Sequence, residues 1–154
     1  MRLDFVRIFL DSTTDTFREV VDPVAGVSSM HMNAKPVSEG DVMAIIGLTG
    51  DAQGRVIFDM NLFTAVQLAG RMMEESLPGM SPLARSAIAE LASMATGKAL
   101  SEINDSGVFL KMAPPVVISG LNLESHDGEL ETLVAPIHTT YGEVRLNVSI
   151  QDLK

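Results

Sequence analysis

The chain has 154 residues, 46% hydrophobic and 20% charged, with no Cys and a net charge of −9 from 11 basic and 20 acidic residues. The apolar content excludes disorder and the lack of Cys excludes a disulfide scaffold. The negative charge argues against nucleic acid and anionic membrane surfaces as partners. At 16.5 kDa, folding is expected to leave about 7,500 Å² of surface exposed out of about 24,000 Å². One domain over residues 1–154 is expected. Three His and scattered carboxylates are thin material for a metal site, so none is expected. The opening Met-Arg-Leu-Asp-Phe-Val-Arg carries charges where a signal peptide needs an apolar run. No charge-free run approaches the roughly 20 residues of a membrane span. The expected location is the cytoplasm.

Residues 3–21 space Phe5, Ile8, Phe9, Phe17, Val20 and Val21 at helical intervals, and Asp22-Pro23 ends the helix. A strand is predicted over 26–34, where His31 sits between Met30 and Met32 and reads as a half-buried strand histidine beside core methionines. Two apolar runs, 42–49 and 55–60, flank the Gly-rich link 50–54 and predict a β-hairpin. A nucleotide-binding reading of those glycines fails, because no Gly-Lys-Ser/Thr follows and no helix begins there. Asn61 can cap a helix over 62–75, which Pro78-Gly79 breaks. Ser81-Pro82 opens the best-marked helix, running to about residue 104, with Ser as cap and Pro at the first helical position. Pro114-Pro115 introduces a strand over 116–123. A loop through His126-Asp127-Gly128 leads to a second hairpin, 131–139 and 143–150, around Thr140-Tyr-Gly142.

The element order repeats. Helix 3–21, strand 26–34 and hairpin 42–60 are echoed by helix 82–104, strand 116–123 and hairpin 131–150. Gly54–Met60 resembles Gly142–Val148, 88 residues later (142 − 54). The expected fold is a two-layer α+β domain: a mixed, mostly antiparallel sheet packed with helices, carrying an internal pseudo-twofold duplication of helix-strand-hairpin units.

Most catalytic templates find nothing here. His126, Asp127 and His138 lack ligand spacing, and no Gly-x-Ser-x-Gly elbow occurs. Helix 82–104 is the exception. At 100° per residue, Ala84, Ile88, Leu91, Ala92, Ala95, Ala99 and Ile103 share one face. Opposite them fall Ser86, Glu90, Ser93 and Gly97. A solvated face normally carries paired Lys, Arg and Glu. Here one Glu is framed by two Ser and a Gly, and a mid-helix Gly costs about 1 kcal/mol against Ala. That leaves the backbone open to close approach by another surface.

Ser86-x-x-x-Glu90-x-x-Ser93-x-x-x-Gly97 resembles the active-site helix of the CheX branch of the CheC/CheX/FliY chemotaxis phosphatases. Their pattern has Glu, two residues, Asn, then Gly four further on, often with Ser before the Glu. Ser86, Glu90 and Gly97 match, and Ser93 stands at the Asn position. Residues 62–73 are similar to the family's preceding helix, and Pro114-Pro115-Val-Val-Ile-Ser-Gly120 to its Pro-Pro-led strand. Near the equivalent place in the first half stands Leu10-Asp11-Ser12-Thr13, so one site per chain is expected. The resemblance implies hydrolysis of the aspartyl phosphate of a CheY-type response regulator in two-component signalling. Glu90 would pair with the partner's Lys, Ser93 would orient the water, and Ser86, Glu90 and Gly97 would contact the partner. It implies no cofactor in this chain, Mg²⁺ on the regulator, and a homodimer formed through the sheet, with the apolar hairpin strands suited to edge pairing. Two other readings stay open: a regulator-binding module without catalysis, and a structural, motor-switch-like interaction protein.

Overall fold

The computed structural model describes residues 2–27, 29–33, 40–120 and 131–153. In chain order the elements are α1 (Leu3–Val20), β1 (Gly26–Val27), β2 (His31–Asn33), β3 (Val42–Gly50), β4 (Ala52–Met60), α2 (Leu62–Met73), α3 (Pro82–Asp105), β5 (Leu110–Met112), β6 (Val116–Ser119), β7 (Thr132–Thr139) and β8 (Gly142–Asp152). The strands form one eight-stranded sheet in the order β1-β7-β8-β4-β3-β5, with β2 also on β7 and β6 also on β3. Every pairing described is antiparallel.

The alternation of each strand decides which side meets the helices. Val42, Ala44, Ile46 and Leu48 of β3, Val56, Phe58 and Met60 of β4, and Val144, Leu146, Val148 and Ile150 of β8 join α1 and α3 in one core. The intervening positions face the other way. There a buried Asp59 carboxylate accepts hydrogen bonds from Arg145 Nε at 2.8 Å and Gly40 N at 3.0 Å, and Thr132 shares a 2.8 Å hydroxyl contact with Ser149. The accessible surface is 7576 Å², close to the ~7,500 Å² expected for this mass.

The duplication is visible in the connectivity. The central pair, β4 with β8, takes one strand from each half and sets Phe58 opposite Leu146. Those residues are 88 apart (146 − 58), the spacing of the Gly54 and Gly142 segments. Each half's short strands complete the other half's hairpin: β1 and β2 pair with β7, while β5 and β6 pair with β3. The two matched glycines do different work. Gly142 adopts φ +126° where the two-residue turn enters β8, with Thr64 where a Cβ would stand. Gly54 lies within β4, where the Ser149 carbonyl of β8 leaves no room for a side chain.

Several expectations change. The first link is tighter than predicted, because residues 49–53 turn outward to other strands: Thr49 and Gly50 pair with β5, Ala52 and Gln53 with β8. The strand predicted over 26–34 is two short pieces, and Ala34 lies outside the described residues, as do 121–123 of the strand predicted to Leu123 and the loop with His126 and Asp127. Met30, His31 and Met32 are exposed, so His31 is not a half-buried histidine beside core methionines. The α2 helix ends early, at a left-handed Glu74 (φ 56°) with Glu75 N donating to Gly70 O. The hairpin strands are flanked on both sides within the sheet, so they offer no free edge; β1, β2, β5 and β6 do.

Candidate functional site

Local chemistry fixes where α3 begins. Ser81 Oγ accepts the Ala84 N–H at 3.2 Å, and Pro82 occupies the first helical position, where no N–H is needed. At the far end Asn104 Oδ1 accepts the Leu110 N–H at 2.9 Å, tying the helix exit to β5. The helix runs 24 residues without a break. Ala84, Ile88, Leu91, Ala92, Ala95, Ala99 and Ile103 are buried, as the period requires.

The outward face is thereby presented to solvent. Ser86 and Glu90 are exposed, and Ser93 and Gly97 are half-buried. The structure thus brings all four predicted site residues to one surface. No hydrogen bond or ion pair engages the side chains of Ser86, Glu90 or Ser93 among the described residues. A Cβ added at Gly97 would meet nothing within 4 Å. Internal packing therefore does not demand this glycine.

The electrostatics isolate Glu90. Between Arg85 and Lys98 it is the sole charged residue of α3. Both flanking cations are committed elsewhere. Arg85 Nη1 donates to Val117 O at 3.3 Å, and Nη2 donates to Ser119 Oγ, fastening α3 to the edge strand β6. Lys98 Nζ stands 3.8 Å from both Asp15 and Glu19 of α1. Glu90 is left as an anion without a counter-charge, ready for a cation from outside.

The matching segment of α1 is built differently. Leu10, Ser12 and Thr13 are buried, and neither the Ser12 nor the Thr13 hydroxyl has a hydrogen-bond partner among the described residues. Its exposed position is the charged Asp11. No counterpart of the α3 surface exists there. His138 lies on β7, 4.0 Å from Glu143 of the neighbouring strand and away from α3. Among the described residues no group of three or more His, Cys, Asp or Glu is placed to hold a metal, and no helix is long and apolar enough to cross a membrane.

Two surface residues escaped the sequence reading. Leu83 and Met94 are 42% and 37% exposed on the outward side of α3. Their angular positions, within about 40° of Glu90 at 100° per residue, were the available signal.

The sequence model of the family described as "Chemotaxis phosphatase CheX" matches residues 42–138. The chain is 30% identical over 123 residues to a CheY-P phosphatase CheX of Thermotoga maritima, covering 77% of each. Among solved structures, a CheC-like superfamily protein from Shewanella sp. PV-4 shares 23% identity with a TM-score of 0.87, covering 98% of this chain and 99% of that one. The CheX–CheY–BeF₃–Mg²⁺ complex from Borrelia burgdorferi matches at 22% identity and a TM-score of 0.81, covering 98% and 100%. At these identities the two structures establish a shared fold.

Proposed function

The chain belongs to the CheX family of chemotaxis phosphatases, and from that premise we propose that it ends a chemotaxis signal by hydrolysing the aspartyl phosphate of a CheY-type response regulator. The observation that carries this reading is Glu90, an exposed carboxylate without a partner, three residues before a free hydroxyl on an unbroken helix. The chemistry asks little of such a surface. In this reading the regulator contributes its own Mg²⁺ and Lys around the phosphoryl group, which supply most of the charge stabilisation. What remains is to dock and to hold a water in line. Residues at i and i+3 of a helix stand about 5–6 Å apart, so Glu90 takes the regulator's Lys while Ser93 orients the water. The Ser93 hydroxyl both donates and accepts, as that task requires. Ser86 and Gly97 complete the contact, and the small side chains let the helix approach closely.

The protein acts as a single domain in the cytoplasm, where its regulator is phosphorylated. It self-associates through a sheet edge; the β5–β6 edge carries exposed Met112, Val116 and Ile118, and light scattering reports the state directly. The test of function is steady-state phosphate release from the regulator fed with a small phosphodonor. Addition of this protein raises the rate, and Glu90→Lys, which sets like charges together, returns it to the regulator's own. A surface change of this kind leaves stability within about 0.5 kcal/mol. A Glu90→Lys rate equal to wild type would remove Glu90 from the site.

A further inference from the structure

We propose that Leu83 and Met94 are the apolar anchors of the docking surface, flanking Glu90 along the helix axis, and that the regulator covers them with an apolar patch beside its lysine. The inference rests on the regulator-docking reading above and adds what gives that contact its strength. On a helical wheel Leu83 and Met94 lie about 20° and 40° from Glu90, and about 10 Å and 6 Å from it along the axis. Both lie to the same side of Glu90 around the helix and flank it along the axis, over about 16 Å. Isolated exposed apolar residues are ordinary on protein surfaces. These two are singled out by an internal control. The duplication gives α1 the corresponding place in the fold, and α1 exposes Asp4, Arg7, Asp11, Asp15, Arg18 and Glu19, with Leu3 at its first position as its one exposed apolar residue. The same architecture thus carries a solvated ionic face on one helix. On the other, the stretch from Leu83 to Gly97 exposes Leu83, Ser86, Met94 and one charge, Glu90.

The charge pattern selects the occupant. Arg85 is bonded to β6 and Lys98 faces α1, so the cation for Glu90 comes from the partner. Apolar cover beside that ion pair reduces its contact with water and strengthens it, since the attraction rises as the local dielectric falls. A second copy of this chain does not fit. A twofold contact through this face would bring Glu90 toward its own copy, between molecules that each carry −9. The unbranched, polarisable Met94 side chain suits an irregular partner surface.

The test titrates the organism's own CheY-type regulator, activated with BeF₃⁻ and Mg²⁺, onto the wild type, Leu83→Ala, Met94→Ala, Glu90→Gln and Leu3→Ala. Leu3 is 60% exposed at the start of α1 and serves as the control. Melting curves first establish that the variants are folded. Leu83→Ala and Met94→Ala are each expected to weaken binding roughly tenfold, with the same factor in KM of dephosphorylation, while Leu3→Ala binds as wild type. If both apolar variants bind as tightly as wild type while Glu90→Gln loses affinity, the anchors are refuted and the regulator reading stands. If the wild type itself neither binds nor dephosphorylates the regulator, the reading falls and the anchors fall with it.

Discussion

Gly97→Ala separates folding from function by moving them in opposite directions. In the middle of α3, Gly is less favourable than Ala by about 1 kcal/mol. The new methyl group meets no atom within 4 Å, so no clash offsets that gain. Stabilisation by about 1 kcal/mol is expected, which for a domain of this size raises Tm by roughly 2–4 °C. The same methyl group stands on the Ser86–Glu90–Ser93 face. If the regulator's surface approaches the bare backbone there, an extra methyl is an overpacking change that costs about 1–3 kcal/mol. Affinity then falls roughly 5- to 150-fold. Calorimetric unfolding measures the first effect, and titration with BeF₃⁻-activated regulator the second. A variant that is more stable and binds equally well would show that Gly97 lies outside the contact. A variant less stable than wild type would mean that Gly97 is needed by the fold.

Three further outcomes are expected. Ser93→Asn extends the reach toward the water by one heavy atom, about 1 Å, at similar helix propensity; single-turnover rates should rise by up to roughly 10²-fold and Ser93→Ala should lower them, whereas no change in either would leave the hydroxyl without a chemical role. The Asp22 carboxylate accepts N–H bonds from Thr140 at 2.6 Å and Val24 at 3.1 Å, and these, Thr140 foremost, hold its pKa below the ordinary carboxylate value. The unfolded chain then takes up the proton first, so the stability from Asp22 is present above about pH 3.9 and is lost as pH falls through the lowered pKa; denaturant melts should show the gap between wild type and Asp22→Asn closing in that window, and a constant gap would count against the assignment. The buried Thr96 hydroxyl has no partner among the described residues, so Thr96→Val should stabilise the protein by about 1 kcal/mol, and destabilisation in the same melts would contradict it.

What was readable in the sequence follows from how local its causes are. α3 was legible at its start because that is written in Ser81-Pro82, and its buried face because seven apolar positions keep the helical period. Glu90 was legible through its isolation among small residues. β5 was not, because its three residues are placed from a distance: Asp51 Oδ2 accepts the Phe109 N–H at 2.8 Å and Asn104 Oδ1 accepts that of Leu110. Alternation over 26–34 gave one strand, whereas Met30 and Met32 face solvent and the pairing to β7 is split. The exchange of edge strands between halves has no signature in any local pattern. Leu83 and Met94 fall outside the buried face by their angle, but a single exposed apolar residue is ordinary on a helix and carries no signal by itself.

The central claim is that this surface turns over its partner's phosphate and does more than bind it. The most direct measurement is the decay of pre-phosphorylated regulator after donor removal, with Mg²⁺ present and this protein at one-tenth of the regulator's concentration. The account predicts that the aspartyl phosphate disappears faster than from the regulator alone and that every regulator molecule is consumed, so each molecule of this protein acts repeatedly. A decay unchanged by the protein, or slowed because the phosphorylated form is held and shielded, would contradict it.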